Sequence, residues 1–209
     1  VGFDPRGVGA SSPVECLTDI ETDQYIAADG SPDDAAEVAQ TIDIMRHFGQ
    51  SCQSKSAQLF MHIDTVSAAR DMDILRDALG DPALNWFGKS YGTLLGATYA
   101  DLFPQNVGRM MLDGALDPAL PMRDLSYGQA VGFETALDRF IADCPTHKDC
   151  PLPSEASSAK RAIESMLDRL DTVAPQLSDG RAFTQAMGVT GVVGGLYDKV
   201  YGWTALRSS

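Results

Sequence analysis

The pattern of apolar and polar positions changes once along the chain and divides it into two parts. Between residues 1 and 114, short apolar segments alternate with stretches of helical composition, which is typical of an α/β fold with a parallel sheet. After Met122 only helical stretches remain, near residues 124–142, 155–173 and 181–200. The pattern predicts an α/β core over residues 1–120 and an incomplete helical segment over residues 121–209. We interpret this segment as a lid, with a separate helical domain as the alternative.

Elements of the first part can be placed more closely. In chain order they are a strand end at residues 1–3, helices over residues 33–49 and 65–79, and strands over residues 84–87 and 107–112. We expect Ser31-Pro32 to begin the first helix and Gly49 to end it. Asp64 or Thr65 is expected to cap the second helix, and Gly80 to end it.

The segment Gly88-Lys-Ser-Tyr-Gly92 stands between an apolar strand and a helix rich in small residues. Strand, G-x-S-x-G and helix, in that order, form the context of a nucleophile elbow. A serine on such a turn needs strained backbone, and Gly88 and Gly92 let the strand and helix approach. The helix N-terminus offers N–H groups and a positive dipole to a developing oxyanion. The pattern therefore predicts Ser90 as a nucleophile, with an ordinary Gly-Ser turn as the alternative.

Composition excludes several classes of partner. The formal net charge is −13, with 29 acidic and 16 basic residues, so nucleic acid and anionic lipid are poor partners. No apolar run is long enough to span a membrane, and we expect no membrane partner. The 44% apolar content is ample for a packed core.

Four cysteines fall into two separated pairs without a C-x-x-C motif, and three histidines are scattered. This distribution predicts no metal site, and we expect no cofactor. It favours disulfides Cys16–Cys52 and Cys144–Cys150, and with them a secreted or extracytoplasmic location. Four buried free thiols in a cytosolic enzyme are the alternative.

Five longer segments of the sequence carry a resemblance to known proteins. They are Gly2-Phe-Asp-Pro-Arg-Gly-Val-Gly-Ala-Ser-Ser-Pro13, Asp64-Thr-Val-Ser-Ala-Ala-Arg-Asp-Met-Asp73, Gly88-Lys-Ser-Tyr-Gly-Thr-Leu-Leu-Gly96, Tyr99-Ala-Asp-Leu-Phe-Pro104 and Val107-Gly-Arg-Met-Met-Leu-Asp-Gly114. With these segments the chain resembles the α/β-hydrolase fold, and more narrowly the proline iminopeptidase-like and tripeptidyl aminopeptidase-like serine exopeptidases of actinobacteria. The resemblance is strong over residues 1–118 and diffuse beyond them.

The resemblance implies that Ser90 is the nucleophile and that the Tyr91 backbone N–H forms half of the oxyanion hole. The other half would come from an upstream His-Gly-Gly-Pro-Gly-type loop, and the catalytic Asp and His would lie beyond Ser209. We therefore expect an internal piece of a larger hydrolase, inactive without the remainder of the same polypeptide. Asp113 is an alternative acid, although Asp-Gly also commonly ends a strand.

Other polar residues have candidate roles near the site. Asp4 and Arg6 are expected to hold their loop by hydrogen bonds. His62 is a candidate to line the substrate cleft, or else a surface histidine, and Glu134 and Asp138 are candidates to hold a substrate ammonium group, or else a solvated helix face. His147 lies in a cysteine-bracketed loop, where we do not expect the catalytic base.

The function that these expectations favour is a secreted serine exopeptidase that acts on peptides with a free N-terminus. A carboxylesterase or lipase on the same scaffold is the second interpretation. A third is a hydrolase-like binding protein that has lost catalysis, although its nucleophile would then be expected to be missing.

Overall fold

A computed structural model of the chain describes residues 2–208. Over these residues the helices are α1 (Asp19–Ala27), α2 (Ala35–Lys55), α3 (Ala57–Phe60), α4 (Thr65–Ala78), α5 (Tyr91–Leu102), α6 (Met122–Asp143), α7 (Ala156–Thr172), α8 (Gln185–Leu196) and α9 (Tyr201–Ser208). The strands are β1 (Leu84–Lys89) and β2 (Val107–Asp113). Within the described residues, none of the helices combines the length and apolar character that crossing a membrane requires.

The chain forms two compact units, which we call the core unit and the helical unit. The core unit comprises residues up to Cys16 together with Phe48–Leu125, and the helical unit comprises Leu17–His47 together with residues from Ser126 onward. The sequence-based division at residue 120 lies near the second boundary. It assigned residues 17–47 to the core, whereas contacts in the structure group them with the later helices.

Strands β1 and β2 of the core unit pair in parallel, as the alternation of strands and helices predicted. Their register sets Trp86 beside Met110 and Gly88 beside Leu112. Helices α4 and α5 pack together through a cluster of fully or nearly fully buried residues, namely Ala68, Ala69, Met72, Leu95 and Tyr99. Because the described sheet has two strands, each strand has one edge without a strand partner there.

Helix α4 follows the sequence prediction closely. Asp64 is its N-cap and accepts a hydrogen bond from the Ser67 backbone N–H at 2.7 Å. Gly80, with φ of +73°, follows its C-terminus, where a left-handed conformation favours glycine. The predicted Asp113-Gly114 turn also ends β2, since Gly114 has φ of +71°.

Three other boundaries were predicted wrongly. Helix α2 begins at Ala35 rather than near Ser31-Pro32, because the Asp34 carboxylate accepts the Ala36 and Glu37 N–H groups at 2.7 and 2.9 Å. It continues through Gly49 to Lys55, and burial of Ser51 and Cys52 outweighs the low helix propensity of one glycine. Gly2 and Phe3 are not in a strand; Val1 lies outside the described residues.

The helical unit contains the helices that the later part of the sequence predicted, with one difference. Of the single stretch expected over residues 181–200, the part Gln185–Leu196 is helical and forms α8, and a further helix, α9, begins at Tyr201, beyond the predicted end. Asp198 lies between them and accepts the N–H groups of Val200 and Tyr201, both at 2.7 Å, so it starts a new helix. The unit's core contains Phe140, Cys144, Leu196 and Trp203.

Both predicted disulfides are present. Cys16–Cys52 connects the loop before α1 to α2, and Cys144–Cys150 closes a loop after α6. The described residues contain no free cysteine, so the alternative of four free thiols does not hold in the structure. A native disulfide typically contributes about 2–4 kcal/mol to the free energy of unfolding.

Candidate active site

Ser90 has a backbone conformation that is rare for a residue with a side chain. It lies between β1 and α5 with φ of 49° and ψ of −117°. Among the described residues, Ser12 is the other non-glycine residue with positive φ. Such strain costs about 1–3 kcal/mol and persists only where surrounding contacts impose it. The Ser90 side chain is exposed at this turn.

The contacts that impose this conformation come from two neighbouring residues, Asp113 and Thr93. The Ser90 N–H donates to the Asp113 carbonyl oxygen at 3.0 Å. The Ser90 carbonyl oxygen accepts the Thr93 N–H at 2.8 Å and the Thr93 hydroxyl at 2.6 Å. Thr93 is buried, and its Oγ1 also accepts the Leu116 N–H at 2.9 Å. The strained turn is therefore fixed to the end of β2 and to the loop that follows it.

Close approach of β1 and α5 depends on two glycines. A Cβ added to Gly88 would lie 2.6 Å from Trp86 Nε1 and still closer to the Gly92 carbonyl oxygen, two atoms that are themselves hydrogen-bonded at 2.9 Å. A Cβ on Gly96 would also lie 2.6 Å from the Trp86 ring. Gly92 differs, because a Cβ there would meet Trp86 at an ordinary 3.9 Å. Space therefore requires glycine at positions 88 and 96.

Two backbone N–H groups beside Ser90 are available to a ligand. Tyr91 and Gly92 open helix α5, and neither N–H donates to an acceptor among residues 2–208. Free N–H groups at a helix N-terminus, together with the helix dipole, suit a negatively charged oxygen. One of these two groups is the Tyr91 N–H, where half of an oxyanion hole is expected. The Tyr91 side chain extends to α4, where its hydroxyl lies 2.8 Å from Thr65 Oγ1.

The core unit does not provide a catalytic base from the described residues. Its histidine, His62, is exposed, and its backbone carbonyl accepts Arg6 Nη1 at 3.1 Å. Ser90 Oγ makes no hydrogen bond to the His62 ring or to any other described residue of this unit. Asp113 contacts Ser90 through its carbonyl oxygen and not through its carboxylate.

The loop that contains Asp4 and Arg6 is held by side-chain hydrogen bonds. Asp4 Oδ2 accepts the Ala10 N–H at 2.8 Å, and Arg6 forms two 2.7 Å hydrogen bonds with the Asp71 carboxylate. Hydrogen bonding to Asp71 raises the pKa of Arg6. Arg6 therefore joins this loop to α4, and its contact with His62 joins it to the segment before α4.

A partly buried polar network, which the sequence did not reveal, holds the helix that follows Ser90. Asp73 Oδ1 accepts Arg76 Nε at 2.9 Å, the Tyr99 hydroxyl at 2.9 Å and Asn106 Nδ2 at 2.8 Å. These donors, Arg76 first, lower the pKa of Asp73, while burial and the Asp73 carboxylate raise the pKa of Tyr99 to about 12. The network connects α4 to α5 and to the turn before β2. Asp73 and Tyr99 belong to the stretches that carry the family resemblance, whereas Arg76 and Asn106 lie outside them.

The predicted polar residues of the helical unit have partners of their own. Glu134 Oε2 lies 2.6 Å from Lys160 Nζ, and this carboxylate raises the pKa of Lys160. Asp138 is exposed one turn further along the same helix. His147 Nε2 is 3.1 Å from Asp143 Oδ2 within its own loop. Glu134 is therefore already paired with an ammonium group, that of Lys160.

Comparison with known proteins identifies the family. The model of the α/β hydrolase fold matches residues 1–201. The chain belongs to the α/β-hydrolase family. This confirms the predicted fold class.

Several curated hydrolases are similar to the chain. It is 37% identical over 207 residues to serine protease Hip1 of Mycobacterium tuberculosis, covering 94% of this chain and 40% of that protein. It is 41% identical over 130 residues to a tripeptidyl aminopeptidase of Streptomyces lividans, covering 62% and 24%. It is 40% identical over 202 residues to carboxylesterase B of M. tuberculosis, covering 94% and 38%. The chain thus spans two fifths or less of the length of these relatives.

Proposed function

We propose that the complete protein is a serine hydrolase that forms an acyl-enzyme at Ser90, and that it is an exopeptidase acting on peptides with a free N-terminus. The observation that carries this proposal is the strained, exposed Ser90 beside the unpaired N–H groups of Tyr91 and Gly92. Strain of this kind is retained where function requires it. The presence of the nucleophile argues against a non-catalytic binding protein.

The geometry supports a two-step acyl transfer. Ser90 Oγ attacks the carbonyl carbon of the scissile bond, and the carbonyl oxygen becomes an oxyanion that accepts a hydrogen bond from the Tyr91 N–H. The proton of Ser90 passes to a general base and then to the leaving amine as the carbon–nitrogen bond breaks. Water, activated by the same base, then releases the acyl group from Ser90. One missing oxyanion donor typically costs a factor of about 10²–10³ in kcat.

We further propose that the general base and its acid come from polypeptide other than residues 2–208. His62 is not hydrogen-bonded to Ser90, and His147 is paired with Asp143. Parallel strands usually lie inside a covered sheet, yet Phe87 and Met111 are exposed on β1 and β2. A further layer of helices on this face would cover them, and additional strands beside these two would supply loops at the carboxyl end where Ser90 lies. On this proposal residues 1–209 alone are inactive.

The preference for free N-termini rests on chemistry and on relatives. The names of two relatives, a serine protease and a tripeptidyl aminopeptidase, indicate peptide substrates. A substrate ammonium group that leaves water needs a carboxylate partner. We propose Glu134 and Asp138 for this role, of which Glu134 is already paired with Lys160.

An ester substrate is the second candidate, favoured by the similarity to carboxylesterase B. The chemistry at Ser90 is the same for peptide and ester substrates, so the two candidate functions must be distinguished by the rates at which the two kinds of substrate are hydrolysed. Tripeptidyl and aminoacyl nitroanilides should be hydrolysed with higher kcat/KM than short acyl nitrophenyl esters. N-acetylation of the peptide substrate should abolish its hydrolysis. A preference for esters, or equal turnover of the acetylated peptide, would establish the second candidate instead.

The two disulfides support an extracytoplasmic location, where oxidising conditions let such bonds persist. We propose that the protein is exported. Fractionation of the producing cells, followed by thiol labelling of denatured protein without reductant, tests this. Protein recovered in the cytoplasm with four reactive thiols would contradict the proposal.

The central test is covalent labelling of the complete protein by a fluorophosphonate. Ser90 should be the labelled residue, and Ser90→Ala should abolish labelling and reduce turnover by about 10⁴-fold or more. Ser12→Gly is the matched control, because Ser12 shares the positive φ and glycine accepts it. Labelling should persist in this control. Labelling that also persists in Ser90→Ala would overturn the proposed nucleophile.

A further inference from the structure

The side chain of the oxyanion residue is attached to a neighbouring helix. The Tyr91 hydroxyl lies 2.8 Å from Thr65 Oγ1. Tyr91 is the first residue of α5 and Thr65 is the first residue of α4, so the hydrogen bond joins the N-terminal turns of the two helices. First turns otherwise fray easily, because their N–H groups have no partner within the helix.

A second tyrosine of α5 makes an equivalent link further along. The Tyr99 hydroxyl donates to Asp73 at 2.9 Å, and both linked pairs are separated by 26 residues in sequence. The two partners on α4 are therefore as far apart as the two tyrosines on α5, and the helices run parallel in one register. Eight residues of α-helix span about 12 Å. Two links at this spacing fix both the axial position and the rotation of α5 against α4.

The two links differ in their surroundings. Tyr99 is fully buried in the α4–α5 core, and its partner Asp73 also binds Arg76 and Asn106. Tyr91 is half exposed and directly follows Ser90, and its hydroxyl has Thr65 as its one partner in the described structure. The Tyr99 link therefore belongs to the packing of the unit, whereas the Tyr91 link acts on the turn that carries the nucleophile.

We propose that Thr65 and Tyr91 are positioning residues that hold the Tyr91 backbone N–H in place for the oxyanion. This inference rests on the proposed role of Ser90. The Tyr91 N–H and side chain share one Cα, so a hydrogen bond that holds the ring also restrains rotation of the peptide. An oxyanion donor is effective only within about 2.7–3.1 Å of the charged oxygen, and small displacements reduce the rate.

Three variants of the complete enzyme test the pair. Tyr91→Phe and Thr65→Val each remove one hydroxyl and keep the side-chain shape, and the double variant removes both. Each single variant should lower kcat by about 3- to 10-fold with KM unchanged. The double variant should be no slower than the worse single variant, because both changes break one hydrogen bond. Thr65→Ser should retain the wild-type kcat, since it keeps the hydroxyl.

Thr98→Val is the matched control on α5. The Thr98 hydroxyl donates to the Leu94 carbonyl oxygen of its own helix at 2.8 Å, so its removal leaves the link to α4 intact. Its kcat should equal that of the wild type. Thermal unfolding midpoints, measured for every variant, separate a positioning effect from loss of fold, because the Tyr91 link is partly exposed and its removal should leave the midpoint nearly unchanged.

Three results would overturn the inference: wild-type kcat in both single variants, multiplied losses in the double variant, or a rise in KM alone. The last would make Tyr91 a substrate contact. Ser90→Ala, assayed in parallel, distinguishes the two levels of proposal. If Ser90→Ala remains active, the proposed function itself fails; if it is inactive while Tyr91→Phe and Thr65→Val behave as wild type, only the positioning role fails.

Discussion

Replacing Gly88 by alanine should damage the strained turn at Ser90, the proposed nucleophile, far more than the same change at Gly92. A Cβ at position 88 would lie 2.6 Å from Trp86 Nε1 and nearer still to the Gly92 carbonyl oxygen. A methyl group in ordinary contact lies 3.4 Å or more from its neighbours, so β1 and α5 must separate by roughly 1 Å. The same movement breaks the hydrogen bond between Trp86 and the Gly92 carbonyl.

Two costs add in Gly88→Ala. Forcing a methyl group into a packed contact typically costs about 1–3 kcal/mol. The broken indole hydrogen bond adds about 1 kcal/mol, so the free energy of unfolding should fall by roughly 2–4 kcal/mol. A displacement near 1 Å at the reacting groups can also cost about 10²-fold in rate. We expect a loss of that order in kcat/KM at a temperature where the variant is folded.

Gly92→Ala is the control for this prediction. Its Cβ would meet the Trp86 ring at 3.9 Å, and its φ is not positive, so neither space nor backbone conformation excludes alanine. Denaturant unfolding and nitroanilide hydrolysis of the two complete variants make the comparison. Equal losses at both positions, or a stable and fully active Gly88→Ala, would refute the account of close packing at Gly88.

Two further changes test other contacts. Tyr99→Phe removes one of the three donors to Asp73 Oδ1 and should lower the free energy of unfolding, measured by urea denaturation, by about 0.5–1.5 kcal/mol. An unchanged free energy of unfolding would show that the hydrogen bonds from Arg76 and Asn106 are enough to stabilise Asp73. Hydrogen bonds from Ser158 and Ser157 lower the pKa of Glu155, the N-cap of α7, to about 2. Because the folded pKa is depressed, the stabilisation is complete above the unfolded value of about 4.3 and is lost as pH falls towards 2. An NMR titration of Glu155 should show this pKa, and Glu155→Gln should weaken the pH dependence of unfolding between pH 5 and 2; a pKa near 4 would contradict the capping contacts.

Local patterns were enough to predict the strained turn at Ser90. The spacing of Gly88, Ser90 and Gly92 after an apolar segment depends on backbone rules that act over a few residues, and so do Asp64 and Gly80 at the ends of α4. The structure has each of these features where the sequence placed it. Cysteine pairing was predictable for a different reason: four cysteines allow three connectivities, and their division into two separated pairs along the sequence favoured one of them.

Errors arose where contacts distant in sequence outweigh local preference. Gly49 is an acceptable helix end by propensity, yet α2 continues past it because Cys52 is buried and bonded to Cys16. The break between α8 and α9 had a local signal that was overlooked, since Asp198 precedes a helix start in the manner of a cap. The Asp73 network had no readable signal, because a single sequence does not show which of many Asp, Arg and Tyr residues meet.

The candidate site likewise depends partly on local sequence and partly on contacts between residues distant in sequence. Ser90 and its N–H neighbours are specified by one turn, so they form wherever that turn is held between β1 and α5. Their precision depends instead on α4, which contacts α5 through Thr65 at one end and Asp73 further along. Helix α4 is in turn joined by Asp71 to Arg6 in the Asp4–Arg6 loop. Substitutions in α4 should therefore change the rate at Ser90 although none of its residues is proposed to touch the substrate.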